Sequence, residues 1–155
     1  MAQDPIEAKL AELGLAVPPP PAPAGSYVPF RISGNTLYVS GVLPVRDGKI
    51  IHAGQVPSQV SIEQAQEAAQ ICALNTLASI KLALGELSRV KQFLLVTGFV
   101  NGVANFDSSP AVINGASDLF MKLYGDAGKH ARAAVAAAGL PRGASVEIQV
   151  TVEFA

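Results

Sequence analysis

Cysteine is almost missing from this chain. Cys72 is the only one, so no internal disulfide framework can form. Histidine is scarce as well: His52 and His130 stand apart and make no metal-ligand spacing with Cys72, which excludes a structural zinc site of the usual kind. Charge of one sign is also lacking, because 11 basic and 12 acidic residues leave a net charge of -1 with no basic cluster. That gives no electrostatic footprint for nucleic acid. No apolar run approaches the ~20 residues that a bilayer crossing needs, and the opening MAQDPIEAKLAELGL carries acids where a secretory signal has a basic stretch and an apolar core. The expectation is a soluble, cytoplasmic protein with no metal or other cofactor and with neither nucleic acid nor membrane as a partner.

What is present is apolar mass. Half of the 155 residues are hydrophobic and 15% are charged, a balance that supports one folded domain with a real core and leaves apolar surface for oligomerisation. Residues 1–25 read as a short helix and a proline-rich connector, and 26–155 as the main domain. In DPIE, Asp4 is placed as N-cap, Pro5 as the first helical residue and Glu7 as the return partner of a capping box. Ile6, Leu10 and Leu13 then share a face, and Gly14 ends the helix. VPPPPAPAG, from Val17 to Gly25, is neither helix nor central strand, because proline removes amide donors and fixes an extended backbone.

Strands follow in YVPFRI, NTLYVSGVLPV and GKII, with turns at SGN and RDG. Ser61 and Gln64 form a second capping box that opens a long helix closed by Gly85. Its apolar second half predicts packing on a sheet, with Cys72 a small core residue rather than a reactive thiol. RVKQFLLVTGFVNG reads as a strand apolar on both faces, with Phe93, Leu95 and Phe99 alternating against Leu94, Val96 and Val100. A sheet covered on both sides follows, one side by helices and the other by a partner subunit. A further helix begins near Ser109 or Pro110 and breaks at Gly125 or Gly128. In the last strand Val146, Ile148, Val150, Val152 and Phe154 face one way and Glu147, Gln149, Thr151 and Glu153 the other. The fold class is α+β, two main helices on one face of a sheet whose other face seeks company.

One residue sits oddly in this pattern: Arg132, a lone charge in the alanine and valine run from Ala131 to Ala138. Together with YVSGVLP, FVN, ING, HARAAV and GLPRGASVEIQ, it resembles the RidA/YjgF family, once labelled L-PSP endoribonucleases. The resemblance runs from about Tyr27 to Ala155 and implies the chorismate mutase-like fold, a homotrimer whose sheets form a central barrel, and three clefts between neighbouring subunits. It implies hydrolysis of reactive 2-imino acids to 2-keto acids and ammonia. On that resemblance Arg132 falls on the family's substrate arginine, whose planar fork suits a carboxylate. Glu147 falls on the carboxylate that orients water, and Tyr27, Ser40, Gly41, Asn114 and Ala134 on pocket positions. The departures are Val42, Ala134 and Ala136, where the family pattern has glutamine, cysteine and an acid, together with the first helix, the connector and a longer NFDSSPAVIN segment. They make a more apolar pocket and suggest a longer branch of the family.

Duller readings stand beside these. Arg132 is also an edge-strand charge facing water, Glu147 a member of a solvated face, Tyr27 packing, Ser40 turn chemistry, Asn114 a local hydrogen-bonder and His130 structural. Two other functions remain open: a trimer that binds a carboxylate metabolite without turnover, and an endoribonuclease or translation inhibitor.

Overall fold

The computed structural model describes residues 2–155. The long helix starts as its spacing predicts: Ser61 Oγ accepts from Gln64 N–H, Gln64 Oε1 accepts from Ser61 N–H, and each bond is 3.0 Å. This helix runs Ile62–Leu84, and Gly85, at φ 85°, ends it in a conformation that a side chain would strain. It buries Asn75, Thr76 and Ser79 along with its apolar residues. Asn75 satisfies its amide by donating to Leu43 O and Val45 O, each at 3.0 Å, so a buried polar group becomes the tether of a chain corner.

Among the described residues, five strands form one sheet and three α-helices are present. The strands are β1 (Phe30–Ser33), β2 (Thr36–Val42), β5 (Val90–Asn101), β6 (Ala131–Ala137) and β7 (Val146–Phe154), in the order β1-β2-β7-β5-β6. A separate hairpin joins β3 (Val45–Arg46) and β4 (Lys49–Ile50). The helices are α1 (Pro5–Glu12), α2 (Ile62–Leu84) and α3 (Ser109–Tyr124). All sheet neighbours are antiparallel except β5 and β6, which are parallel and are connected through α3. α2 and α3 cover one face, where Val146, Ile148, Val150 and Val152 of β7 are buried with Leu37, Val39, Val96 and Val100. The alternation of the last strand is thus realised, as is the α+β class with two main helices on one side.

The uncovered face carries Tyr38, Leu95 and Val135, which are 50%, 42% and 48% exposed, beside Thr97, Phe99, Gln149 and Thr151 at registered positions. One expectation about it fails. Phe93 does not share a face with Leu95 and Phe99, because a bulge between Phe93 and Leu95 shifts the register and turns Phe93 into the core against Phe120. The first helix also differs from its expectation in two respects. Asp4 caps it by accepting from Ile6 N–H at 2.8 Å, but Glu7 does not complete a box. Its carboxylate instead pairs with Lys81 at 2.7 Å. Ile6 and Leu10 are buried in the common core while Leu13 is 45% exposed, since the chain turns away through Gly14, at φ 74°.

Two glycines set the distances that matter for the site. A Cβ on Gly115 would lie 2.1 Å from Gln66 O, and one on Gly98 would lie 2.5 Å from Ile113. α3 therefore presses on α2 and on β5 at places where no side chain fits. Gln66 Nε2 donates to Ala111 O at 2.9 Å, which fixes the start of α3 against α2.

Candidate functional site

Arg132 projects from β6 on the helix-covered side of the sheet, because it is registered with the buried Val96. Its guanidinium reaches α3. Nη1 donates to Asn114 Oδ1 at 2.7 Å and to Ser117 Oγ at 3.2 Å, and Nη2 donates to Pro110 O at 3.4 Å. All of these partners are neutral. The ion pairs among the described residues are His52–Glu67, Lys81–Glu7, Lys91–Glu153 and Lys129–Asp126, so Arg132 is half-buried without a carboxylate. A charge held in this way keeps donors free for an anion from outside the protomer. Asn114 and Ser117 lie three apart on one helix face, the spacing that puts two side chains side by side. Ser117 was not singled out in the sequence, and this i,i+3 relation to Asn114 was the signal that could have found it.

Ala134, two residues along β6, is on the same face and packs partly against the core. His130 precedes the strand, with Nδ1 3.1 Å from Ala131 O and its ring edge-on to Phe120. Burial lowers its pKa, and the nearby Arg132 adds to that effect while the Ala131 carbonyl opposes it. The neutral imidazole is favoured.

Glu147 lies on the opposite face. It is registered with Phe99 on the uncovered side of the sheet, half-buried, and burial raises its carboxyl above the ordinary range. Gly41 leaves room for it, since a Cβ there would sit 3.0 Å from Glu147 Oε2. A bulge in β2 between Val39 and Val42 brings Ser40 and Gly41 to this place. Ser40 is tied to the preceding segment twice: its hydroxyl donates to Val28 O and its N–H to Pro29 O. Tyr27 stands on that segment, and its hydroxyl accepts from Ala24 N–H at 3.1 Å.

The seven residues singled out in the sequence therefore divide in two. Arg132, Asn114 and Ala134 come together at β6 and α3; Glu147, Gly41, Ser40 and Tyr27 come together around the end of β2. One protomer does not unite the two groups, because the sheet stands between them. Arg142, read as solvated, is exposed but bends back so that Nη2 donates to Gly48 O at 3.0 Å, and it lines a cavity beside Ser40 and Gly41. No group of three or more histidine, cysteine or acidic residues suited to a metal ion occurs among the described residues. No helix described is long and apolar enough to cross a membrane.

A five-stranded mixed sheet with two helices on one face and a parallel β-α-β crossover at its edge defines the chorismate mutase-like α+β class. The family described as "YjgF/chorismate mutase-like, putative endoribonuclease" matches residues 7–153, and the chain belongs to it. The matched stretch begins within α1, so most of the first helix and the whole connector, read in the sequence as extra to the family pattern, lie inside it. The chain is 41% identical over 150 residues to protein TCP17 of Trypanosoma cruzi, covering 96% of this chain and 94% of that one. It is similar to the crystal structure of Atu1372 from Agrobacterium tumefaciens, a protein of unknown function, at 48% identity and a TM-score of 0.92, over 97% of this chain and 93% of that one. RidA from an Antarctic Psychrobacter is similar at 25% identity and a TM-score of 0.59, over 87% and 94% of the two chains.

Proposed function

We propose that this protein hydrolyses 2-imino acids to 2-keto acids and ammonia, at clefts where the Arg132 group of one copy faces the Glu147 group of the next. The observation that carries this reading is Arg132 itself: a half-buried guanidinium held by two neutral side chains and a carbonyl, with no acid of its own among the described residues. A guanidinium partly withdrawn from water without a counterion loses hydration, and a substrate carboxylate would offset that loss. Asn114 and Ser117 fix the fork through Nη1.

The chemistry then needs a base. Water adds to the carbon of the C=N bond, and Glu147 takes a proton from that water as the C–O bond forms. Glu147 returns that proton to the nitrogen, giving the carbinolamine. The carbinolamine hydroxyl then gives up its proton to the same carboxylate, which passes it to the nitrogen as the C–N bond breaks and C=O forms, and ammonia leaves with the keto acid behind. A carboxylate raised by burial is a stronger base than an exposed one, which suits this task. Because the sheet separates the two groups, the reaction requires an assembly. The uncovered face, with Tyr38, Leu95 and Val135 exposed, supports a homotrimer in which these faces line a central barrel. Residues 1–25 precede the catalytic domain 26–155 in this reading and pack Ile6 and Leu10 into its core.

A second reading has its own support. The Arg132 clamp is complete on one protomer while the base is not beside it, an arrangement that suits a carboxylate-binding module. The endoribonuclease named in the family description would have to hold an RNA backbone with a chain of net charge -1. Release of ammonia and keto acid from imino acids generated in situ separates these readings. Acceleration by the wild type and none by Arg132→Ala supports the hydrolase. Absence of acceleration with the assembly intact leaves the binding module.

A further inference from the structure

The proline connector ends beside Ser40 and Gly41 of β2. Its residues Pro21 to Ala24 form one wall of a cavity of about 100 Å³, whose other side includes Val42, Leu43 and Val45. Gly41 belongs to both this cavity and the neighbourhood of Glu147, and Tyr27 and Ser40 line the cavity beside it. Polar groups are few there, and Arg142 stands at the cavity with Nη2 engaged by Gly48 O. The wall is held at both ends. Leu15 and Val17 pack on the core before the prolines, and Ala24 N–H donates to the Tyr27 hydroxyl after them. Prolines need no amide partners and lose little entropy on ordering, so a stiff apolar wall forms without a strand or helix to carry it.

We infer that this cavity receives the side chain of the substrate, and that it selects 2-imino acids with a branched aliphatic chain of three or four carbons. The inference rests on the proposed reaction for its chemistry but not for the pocket. Size decides the class. A water-sized group occupies roughly 30 Å³, and an apolar cavity of roughly 150 Å³ holds benzene. About 100 Å³ thus takes about three to four methyl-sized groups by that measure, which matches an isopropyl or isobutyl group and falls short of the six carbons of a phenyl ring. A methyl group alone would leave most of the apolar wall without contacts. Val42 is a determinant because it stands at the junction of cavity and β2 bulge, where an amide side chain would bring polar atoms into an apolar lining.

The test compares imino acids of the alanine, valine, leucine and phenylalanine types, each made in situ by an amino-acid oxidase. It uses wild type, Val42→Phe, and the double variant Pro21→Gly with Pro23→Gly, which relaxes the wall while leaving the sheet intact should Val42→Phe fail to fold. Binding of the four corresponding 2-keto acids is measured alongside. Because each added methylene in a fitting apolar pocket is worth about 10-fold or more, kcat/KM for the branched substrates should exceed that for the methyl and benzyl ones by at least about 10-fold. That ratio should fall toward one in the variants. Hydrolysis of all four at similar rates, or fastest for methyl, overturns this inference and leaves the proposed reaction standing. No hydrolysis, with branched keto acids bound at least about 10-fold more tightly and that preference lost in the variants, overturns the reaction and keeps the pocket. Neither hydrolysis nor preference overturns both.

Discussion

The two halves of the candidate site are built on opposite principles. Around Arg132 every contact is polar and directed: a guanidinium, an amide, a hydroxyl and a carbonyl held by a helix that presses against its neighbours through Gly98 and Gly115. Around Glu147 the surroundings are a strand bulge and a glycine, and the far side of that glycine lines a cavity walled by prolines. The first environment favours a fixed charge and gives it a direction. The second penalises charge and thereby makes a carboxylate more basic. A reaction that binds an anion at one end and moves a proton at the other uses both, and each half would perform the other's task badly.

The strongest way to break this contrast is to remove the fork. Arg132→Ala is expected to abolish imino acid hydrolysis and keto acid binding while leaving the circular dichroism spectrum and the assembly unchanged; undiminished turnover would refute the assignment. Arg132→Lys sharpens the point, because a point charge without the fork should recover only part of the binding. Next in size is Glu147→Gln. Loss of a general base costs about 10²–10⁴-fold in kcat, and keto acid binding should persist, which reverses the pattern of the arginine variant.

The same glutamine substitution makes a statement about pH. The folded protein holds the Glu147 proton more tightly than the unfolded chain does, because burial raises the carboxyl. Stability from this group is therefore fully present below the ordinary carboxyl range and is lost as pH rises through the raised folded value. Glu147→Gln removes that loss. Its midpoint of thermal unfolding should lie above that of wild type at neutral pH, and the difference should vanish in acid. A lower midpoint at neutral pH would mean that the carboxylate is stabilised by the assembly.

Much of the framework was legible because it is local. The capping box of Ser61 and Gln64, the stop at Gly85 and the alternation along β7 depend on residues within a few positions of one another. What could not be read was decided at long range. Glu7 satisfies the local pattern of a capping box, yet Lys81 of α2 is beside it and captures the carboxylate. Phe93 and Leu95 share a face on paper, and a bulge separates them, with Phe93 stacked on Phe120 at 4.4 Å between ring centroids. For the site, residue identities came from a resemblance. That Arg132 and Glu147 point to opposite faces follows from register alone: Arg132 is paired with Val96, and Glu147 with Phe99. Register is carried by the alternation of apolar and polar residues, and in the alanine run around Arg132 that alternation is too weak to read.

Gly115 tests the polar half without touching a polar atom. A methyl at this position meets Gln66 O at 2.1 Å, so α3 must move away from α2 and take Asn114 with it. Alanine gains about 1 kcal/mol over glycine in helix propensity, whereas overpacking costs about 1–3 kcal/mol. A backbone oxygen cannot step aside as a flexible side chain does, so the steric cost is expected to win. Gly115→Ala should lower stability and raise KM more than it lowers kcat, since only the clamp is displaced. An unchanged KM would show that the position of Asn114 does not govern the fork.

The smallest effect belongs to the anchor of the apolar half. Asp4 caps α1 through Ile6 N–H at 2.8 Å, and its second oxygen accepts from Leu87 N–H at 2.7 Å and Ser88 N–H at 3.2 Å. One carboxylate thereby holds the first helix to the turn before β5, and the connector that walls the cavity follows directly from that helix. Losing an N-cap costs about 1 kcal/mol, and losing a hydrogen bond to a charged group about 1.5–3 kcal/mol. Asp4→Ala should destabilise the protein by a few kcal/mol at most, because Ile6 and Leu10 still bury their side chains in the core. Asp4→Asn keeps one acceptor oxygen for either the cap or the Leu87 turn and should fall between. Neither change reaches Arg132, so carboxylate binding should survive while selectivity among side chains relaxes. If binding and selectivity weakened together by the same factor, the two halves would be mechanically coupled through the core, and the contrast drawn between them would have to be abandoned.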